Sequence, residues 1–237
     1  MTIVNYINNI SFRFIKNNYR MPRGYGRIFS FFRKLGLDLE ILNTRLPEPN
    51  LVLKSINNIP KMSTYAIGAI INKAVNDMNG SNCFVNVGLW NGYTFFAGLI
   101  GNELKKCIGV DNFSEFGGPK EAFLSRFNKI KSEKHYFYEM DYRDYFKNNH
   151  QDKIGVYIYD GEHSYKNQLE GLRMAEPFFS DDCLIIIDDT NKKDPRNGTM
   201  DFINQSKYKY SIIFDQKTAH NGHPTFWNGL MVLKRVK

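Results

Sequence analysis

The sequence predicts an α/β fold: a seven-stranded, mostly parallel sheet with an antiparallel last strand, helices on both faces and an N-terminal helical cap. Three observations carry this. From residue 62 onward, apolar runs of strand length alternate with amphipathic stretches of helical length. The runs "IGVYIY" (154–159) and "CLIIID" (183–188) are almost continuously apolar, as in strands covered on both faces. The last two runs are joined only by "DQKTAHNGHPT", with no helical stretch between them, which suits an antiparallel hairpin.

Residues 1–61 read as a separate layer of short helices, broken by Pro and Gly at "MPRGYG" and "RLPEPN". Residues 62–237 form the main domain. It opens with "TYAIGAIINKAVNDM", whose helical spacing stops at Asn79-Gly80. Strands follow at about 83–87, 107–111, 135–139, 154–159, 183–188, 209–214 and 226–235. Helices lie near 93–105, 119–132, 164–178 and 196–206. In such sheets, ligands bind beyond the carboxyl ends of the strands.

At 237 residues the chain is long enough for one full core with an elaboration. No apolar run reaches the length of a membrane span, and "MTIVNYINNISFRF" lacks a basic head and a cleavage site, so a cytoplasmic protein is expected. Cys83, Cys107 and Cys183 each begin an apolar run and form no close pair, which predicts buried structural thiols. The net charge is +8, and residues 1–50 hold eight Lys/Arg against three acids. That region could meet an anionic substrate or a membrane surface, or it could be a solvated basic face. "GRIFSFFRKLGL" (26–37) could form a basic amphipathic helix. Nothing matches a nucleic-acid-binding signature, so no nucleic-acid partner is expected. Self-association into a homo-oligomer stays open.

Two clusters carry the chemistry. "FVNVGLWNGYTFF" is a strand entering a glycine turn and then a helix, with Gly88 and Gly92 four apart. The first glycine permits a tight turn, and the second keeps a side chain away from a ligand on the loop. Asp111 ends the next strand and could accept hydrogen bonds from both ribose hydroxyls of a nucleoside. The second cluster is Asp160, Glu162 and His163 in "YIYDGEHSY", with Asp188 and Asp189 at the end of the following strand. Carboxylates gathered at strand ends repel unless something positive lies between them.

The glycine turn fails the three-glycine dinucleotide fingerprint, since residues 88–93 read G-L-W-N-G-Y. With the ribose acid and the strand order, it resembles the Rossmann-like class I S-adenosylmethionine-dependent methyltransferases over residues 62–237. The resemblance implies that the methionine part of the cofactor lies along Asn86, Gly88, Leu89, Trp90 and Gly92. Asp111 would take the ribose, Asn112 and Phe113 would lie beside the adenine, and Asp141 and Tyr142 would edge it. That family usually has an acid where this chain has Asn86, so affinity would be weaker or another acid would supply the charge.

The stretch from "DGEHSY" to "IIIDD" resembles the branch holding macrocin-type sugar O-methyltransferases and methyltransferases of cephalosporin biosynthesis. The branch implies a magnesium ion held by Asp160, Asp188 and Asp189, and an acceptor hydroxyl on a sugar, glycan precursor or related small molecule. Mg²⁺ prefers hard oxygen ligands, and a hydroxyl bound to it is held and more easily deprotonated. His163, three residues after Asp160, would be the base as a neutral imidazole. Macrocin-type members lack this histidine. His163 could instead cap the next helix, and Asp188 and Asp189 could simply bridge at the sheet edge. His220 and His223 read as hairpin-loop residues, and Trp227 and Asn228 as members of the last strand pair. The alternatives are a nicotinamide-dependent oxidoreductase and a non-catalytic cofactor-binding or membrane-surface protein that retains the fold.

Overall fold

The computed structural model describes residues 1–236. Near the N-terminus run α1 (Ile3–Asn8), β1 (Ser11–Phe12), α2 (Tyr25–Lys34), α3 (Leu39–Asn43), β2 (Thr44–Arg45) and α4 (Leu51–Lys54). β1 and β2 pair antiparallel as a small separate sheet, which the sequence did not suggest. Then come α5 (Tyr65–Asp77), β3 (Cys83–Val87), α6 (Tyr93–Leu99), β4 (Lys106–Asp111), α7 (Lys120–Ile130) and β5 (His135–Glu139). After them run α8 (Tyr142–Asn148), β6 (Ile154–Tyr159), α9 (Tyr165–Ala175), β7 (Phe179–Ile187), α10 (Lys193–Gln205), β8 (Lys209–Gln216) and β9 (Leu230–Val236).

The main sheet has seven strands in the order β5-β4-β3-β6-β7-β9-β8. β3 to β7 are mutually parallel, and β9 runs antiparallel between β7 and β8. The expected hairpin is therefore present, with its second arm inserted inside the sheet and its first arm at the edge. β7 begins at Phe179, four residues earlier than predicted, so Cys183 lies within it.

Side chains of successive strand residues point to opposite faces, and the two cores follow that period. Phe84, Val156, Ile158, Leu184, Ile186 and Val232 face one cluster, which α5, α6 and α7 cover. Val85, Val87, Ile108, Tyr157, Ile185 and Leu233 face the other, beneath α8, α9 and α10. Each such buried side chain contributes roughly 1.5–3 kcal/mol. Ile7, Phe12, Leu53 and Ile56 of the N-terminal segment sit in the first cluster. The cap thus shares a core with α5 and α6.

Two helix readings change. The helix after the glycine turn stops at Leu99 instead of 105, because Gly101 turns the chain at φ 74°. α8 falls in a region read as loop. Asp141 caps it by accepting from Arg143 N (2.8 Å), and Tyr142, Tyr145 and Phe146 form its buried face. No helix among the described residues is long and apolar enough to cross a membrane.

Candidate active site

The carboxyl ends of β3, β4 and β6 open onto a cleft. Gly88, Leu89, Trp90, Asp111, Asn112, Phe113, Asp141, Tyr142 and Asp160 line it together. The fold therefore converges nine sequence-predicted residues on one space. Asn86 and Gly92 are not among its walls.

The geometry explains both exceptions. Asn86 is fully buried behind the turn, and its amide donates to the Gly88 carbonyl (3.0 Å). It braces the turn from below rather than facing a ligand. Gly92 adopts φ 91°, and a Cβ there would strike the rings of Phe96 and Phe123. The space that Gly92 leaves is filled by the protein's own core, whereas the sequence reading reserved it for a ligand. Gly88 does act as a tight turn. It adopts φ 80°, and a Cβ would collide with the backbone carbonyl of Asp160, so β3 and β6 touch there.

Asp111 organises the turn itself. Its Oδ2 accepts from Leu89 N (2.6 Å) and Trp90 N (3.0 Å), and its Oδ1 accepts from Phe113 N (2.7 Å). Each carboxylate oxygen has two lone pairs, so Oδ1 retains capacity for a ribose hydroxyl. Trp90 Nε1 donates to the Phe116 carbonyl (3.1 Å), tying the turn to the loop after β4.

Several lining residues gave no signal in the sequence. Pro60, Lys61, Met62 and Ser63 bring the end of the N-terminal layer to the mouth. Arg143 stacks on Tyr142 (4.5 Å to the ring centre) and donates to Asn167 Oδ1 (2.6 Å) and Glu170 Oε2 (2.8 Å). Recognising the Asp141 cap of α8 would have pointed to it. Glu162, which the sequence did single out, is exposed, lines the cleft and is bonded by Asn167.

The acid cluster adjoins the cleft through Asp160. His163 Nε2 lies 3.4 Å from Asp160 Oδ1 and 3.9 Å from Asp189 Oδ2. Helix α9 is capped by Ser164, whose hydroxyl accepts from Asn167 N (3.3 Å), so His163 is free of that duty. Burial alone would lower the His163 pKa. The hydrogen bond and charge of Asp160, with Asp189 and Asp188 behind, outweigh it and raise the pKa to about 9. The resting imidazole is therefore cationic near pH 7, where the sequence reading expected it neutral. Burial also raises the Asp160 carboxyl, against the pull of His163.

Asp189 is strained and well occupied. It adopts φ 59°, its Oδ1 accepts from Asn228 (2.6 Å), and Lys192 pairs with its Oδ2. Asn228 lies in the loop before β9, where its Oδ1 also accepts from Gly222 N (2.7 Å) across the hairpin, so it serves both the hairpin and this acid. Asp188 differs: it is buried, its Oδ1 has no partner, and burial beside Asp160 and Asp189 pushes its pKa well up. His163 Nδ1 is likewise buried without a partner. Eight buried side-chain polar atoms lack a hydrogen-bond partner among the described residues, and these two fall together in the acid cluster, where a ligand could satisfy them.

The donors suit magnesium in kind, being hard carboxylate oxygens with one left orphaned. Their arrangement is already neutralised by protein cations, His163 and Lys192. Among the described residues no group of three His, Cys, Asp or Glu is placed to hold a metal ion. An ion at Asp189 would have to displace Lys192, whose side chain is half-exposed.

Residues 85–190 match the model of a family described as a methyltransferase domain. That span runs from the strand before the glycine turn to just past the acid pair, and so contains both clusters. Over that stretch, a little under half of the chain, the sequence is similar to a methyltransferase domain. Solved structures share this fold at low identity. One is a cofactor-bound protein from MTB (8% identity, TM-score 0.59, covering 91% of this chain and 98% of its own). Another is an O-methyltransferase from Bacillus cereus in complex with S-adenosylhomocysteine (12%, 0.57, 89% and 97%). A third is the O-methyltransferase TomG from Streptomyces achromogenes, involved in tomaymycin synthesis, in complex with S-adenosylmethionine (10%, 0.54, 92% and 100%). No curated protein matches the chain.

Proposed function

We propose that this chain is an S-adenosylmethionine-dependent methyltransferase that acts on oxygen, transferring the methyl group to a hydroxyl of a sugar, glycan precursor or related small molecule. The observation that carries the reading is the pair of unpartnered buried atoms, His163 Nδ1 and Asp188 Oδ1, in the acid cluster adjoining the glycine-turn cleft. A hydroxyl is both donor and acceptor, so it could satisfy one or both atoms. The sugar assignment rests on the resemblance of "DGEHSY" and "IIIDD" to the macrocin-type branch.

The cofactor supplies an electrophilic methyl on a positive sulfonium. Asp111 fixes the turn that would cradle it, and Asn86 braces that turn from behind. In the transfer, an acceptor oxygen lone pair forms the new O–C bond as the S–C bond breaks, and the hydroxyl proton must leave. His163 is the residue to manage that proton. Its imidazole is charged at rest, so its own proton must first pass to solvent, which positive charge bound at the neighbouring turn would favour by lowering its pKa. The neutral ring could then take the hydroxyl proton. Asp160 orients the ring through Nε2, leaving Nδ1 toward the acceptor. Fixing the oxygen in line with the methyl lowers the barrier by orientation. Asp160, Asp188 and Asp189 would hold magnesium if Lys192 swings away, and the ion would position and acidify the hydroxyl.

Calorimetric titration of S-adenosylhomocysteine, with NADH as control, tests the cofactor half. Micromolar binding of the first alone is expected, and its absence would refute the reading. Titration of Mn²⁺ into the native protein and Lys192→Met tests the metal half. Tighter binding by the variant supports an ion at Asp189, and no binding by either removes it.

A further inference from the structure

Helix α2 (Tyr25–Lys34) contributes no buried residue to either core. Its inward side is held by Tyr25, Phe29 and Phe32, all half-buried, and by Arg33, whose Nε lies 3.3 Å from Asp38. Its outward side carries Ile28, Phe31 and, one residue beyond the helix, Leu35, spaced at i, i+3 and i+7. They are 51%, 59% and 61% exposed. Such a stripe on one helix face is unusual for a surface in contact with water alone. Arg27 and Lys34 flank it, both exposed. The first 37 residues hold seven cations (Arg13, Lys16, Arg20, Arg23, Arg27, Arg33 and Lys34) and no acid.

The helix is not remote from the site. β8 runs parallel to β3–β7, since both it and β7 are antiparallel to β9, so the loop leaving β8 lies at the cleft side of the sheet. That loop grips the segment leading into α2. Met21 N donates to His220 Nε2 (3.2 Å), His223 Nε2 donates to the Tyr19 carbonyl (2.9 Å), and Tyr25 packs on His220 (5.7 Å between ring centres). Asn228 of the same loop holds Asp189.

We propose that the outward face of α2 docks on an anionic lipid bilayer, seating the active-site side of the enzyme against the membrane surface. The stripe enters the boundary between headgroups and acyl chains while the surrounding cations meet anionic headgroups, the combination that holds interfacial helices. The charge excludes other occupants. A second copy on a two-fold axis would set Arg27 and Lys34 against the same cations of its own α2. A nucleic acid would satisfy the cations and leave Ile28, Phe31 and Leu35 without an apolar partner. The corresponding acceptor would be one presented at a membrane surface, a refinement that rests on the methyl-transfer reading, whereas docking itself does not.

The test is cosedimentation of the full chain with phosphatidylcholine vesicles, with and without phosphatidylglycerol. Binding to the anionic vesicles that weakens with salt, and little binding to the neutral ones, is expected. Arg27→Gln with Lys34→Gln should weaken partitioning about thirtyfold. Ile28→Ser with Phe31→Ser should abolish it, and tryptophan emission of Phe31→Trp should shift to the blue on anionic vesicles. Since these side chains are exposed, S-adenosylhomocysteine titration of the same variants should match the native protein. No binding to anionic vesicles, or equal binding by the variants, would overturn the proposal. So would a dimer in ultracentrifugation that Phe31→Ser dissociates. Failure of S-adenosylhomocysteine to bind the native protein would count against methyl transfer and leave the vesicle result standing.

Discussion

Asp188 concentrates the conflict between folding and chemistry at a single residue. Its carboxylate is buried beside two other acids, with one oxygen unpartnered, and folding must bear that cost. Asp188→Asn keeps the shape and removes the charge. We expect it to stabilise the protein by about 1 kcal/mol, raising the melting midpoint by roughly 2–4 °C, while methyl transfer falls at least about a hundredfold. Calorimetric melting paired with a methyl-transfer assay checks both, and a variant that is less stable would show that the charge is compensated. The acid itself was legible as a polar residue ending an apolar strand. That Asp189 is satisfied by Lys192 and Asn228 while Asp188 is not was illegible, because Asn228 is 39 positions away in the chain.

At the scale of elements, the glycine turn and α8 behave differently from their sequence appearance. Gly88→Ala is expected to cost about 2–4 kcal/mol and to abolish S-adenosylhomocysteine binding, because the new Cβ meets the Asp160 carbonyl at positive φ. Urea unfolding together with calorimetric titration would reveal a tolerated alanine if the turn can relax. After α8, the chain turns at His150. Its Nε2 donates to the Asp152 carbonyl (3.0 Å) and its Nδ1 accepts from Tyr145 (2.7 Å), so the ring is held neutral. Burial depresses its pKa to about 4. Between pH 4 and 6.5 the unfolded chain binds a proton that the folded chain refuses. Stability is therefore full above about pH 6.5 and falls as the solution is acidified, by about 2 kcal/mol at pH 5 from this residue. His150→Gln should flatten that slope in urea unfolding at pH 7 and 5. An unchanged slope would assign the acid sensitivity elsewhere. The α8 signal was present in the sequence as a capping aspartate before Tyr142, Tyr145 and Phe146, but the short segment does not separate from a loop by periodicity alone.

Across the whole molecule, the N-terminal layer is fastened by an ion network as well as by shared core. Glu40 is buried, accepts from Tyr65 N at the start of α5, and lies 3.3 Å from Lys61 Nζ and 3.5 Å from Arg33 Nη2. Lys61 is itself buried and lines the cleft. Removing one partner strands the other in a poorly solvated place. Glu40→Ala is expected to cost about 3–5 kcal/mol, while Glu40→Leu with Lys61→Met should be close to neutral. Urea midpoints decide this, and equal loss in the single and double variants would show that the apolar pair does not fit the space. Because Lys61 sits at the mouth, loss of the pair should also loosen the cleft wall, visible as faster proteolysis in residues 38–63.

The sequence by itself determined the sheet, its two covered faces and the closing hairpin. Hydrophobic period and turn chemistry are local properties that a strand or helix carries with it. It also named the acids and glycines that meet at the strand ends, since a polar residue closing an apolar strand is visible without neighbours. Only the tertiary structure decided what each of those groups touches. Asn86 and Gly92 serve the turn and the core, His163 is cationic because three acids surround it, and Asp189 is neutralised by Lys192. Burial, charge and hydrogen-bond satisfaction are sums over residues far apart in the chain, and they take values only when the fold has brought those residues together.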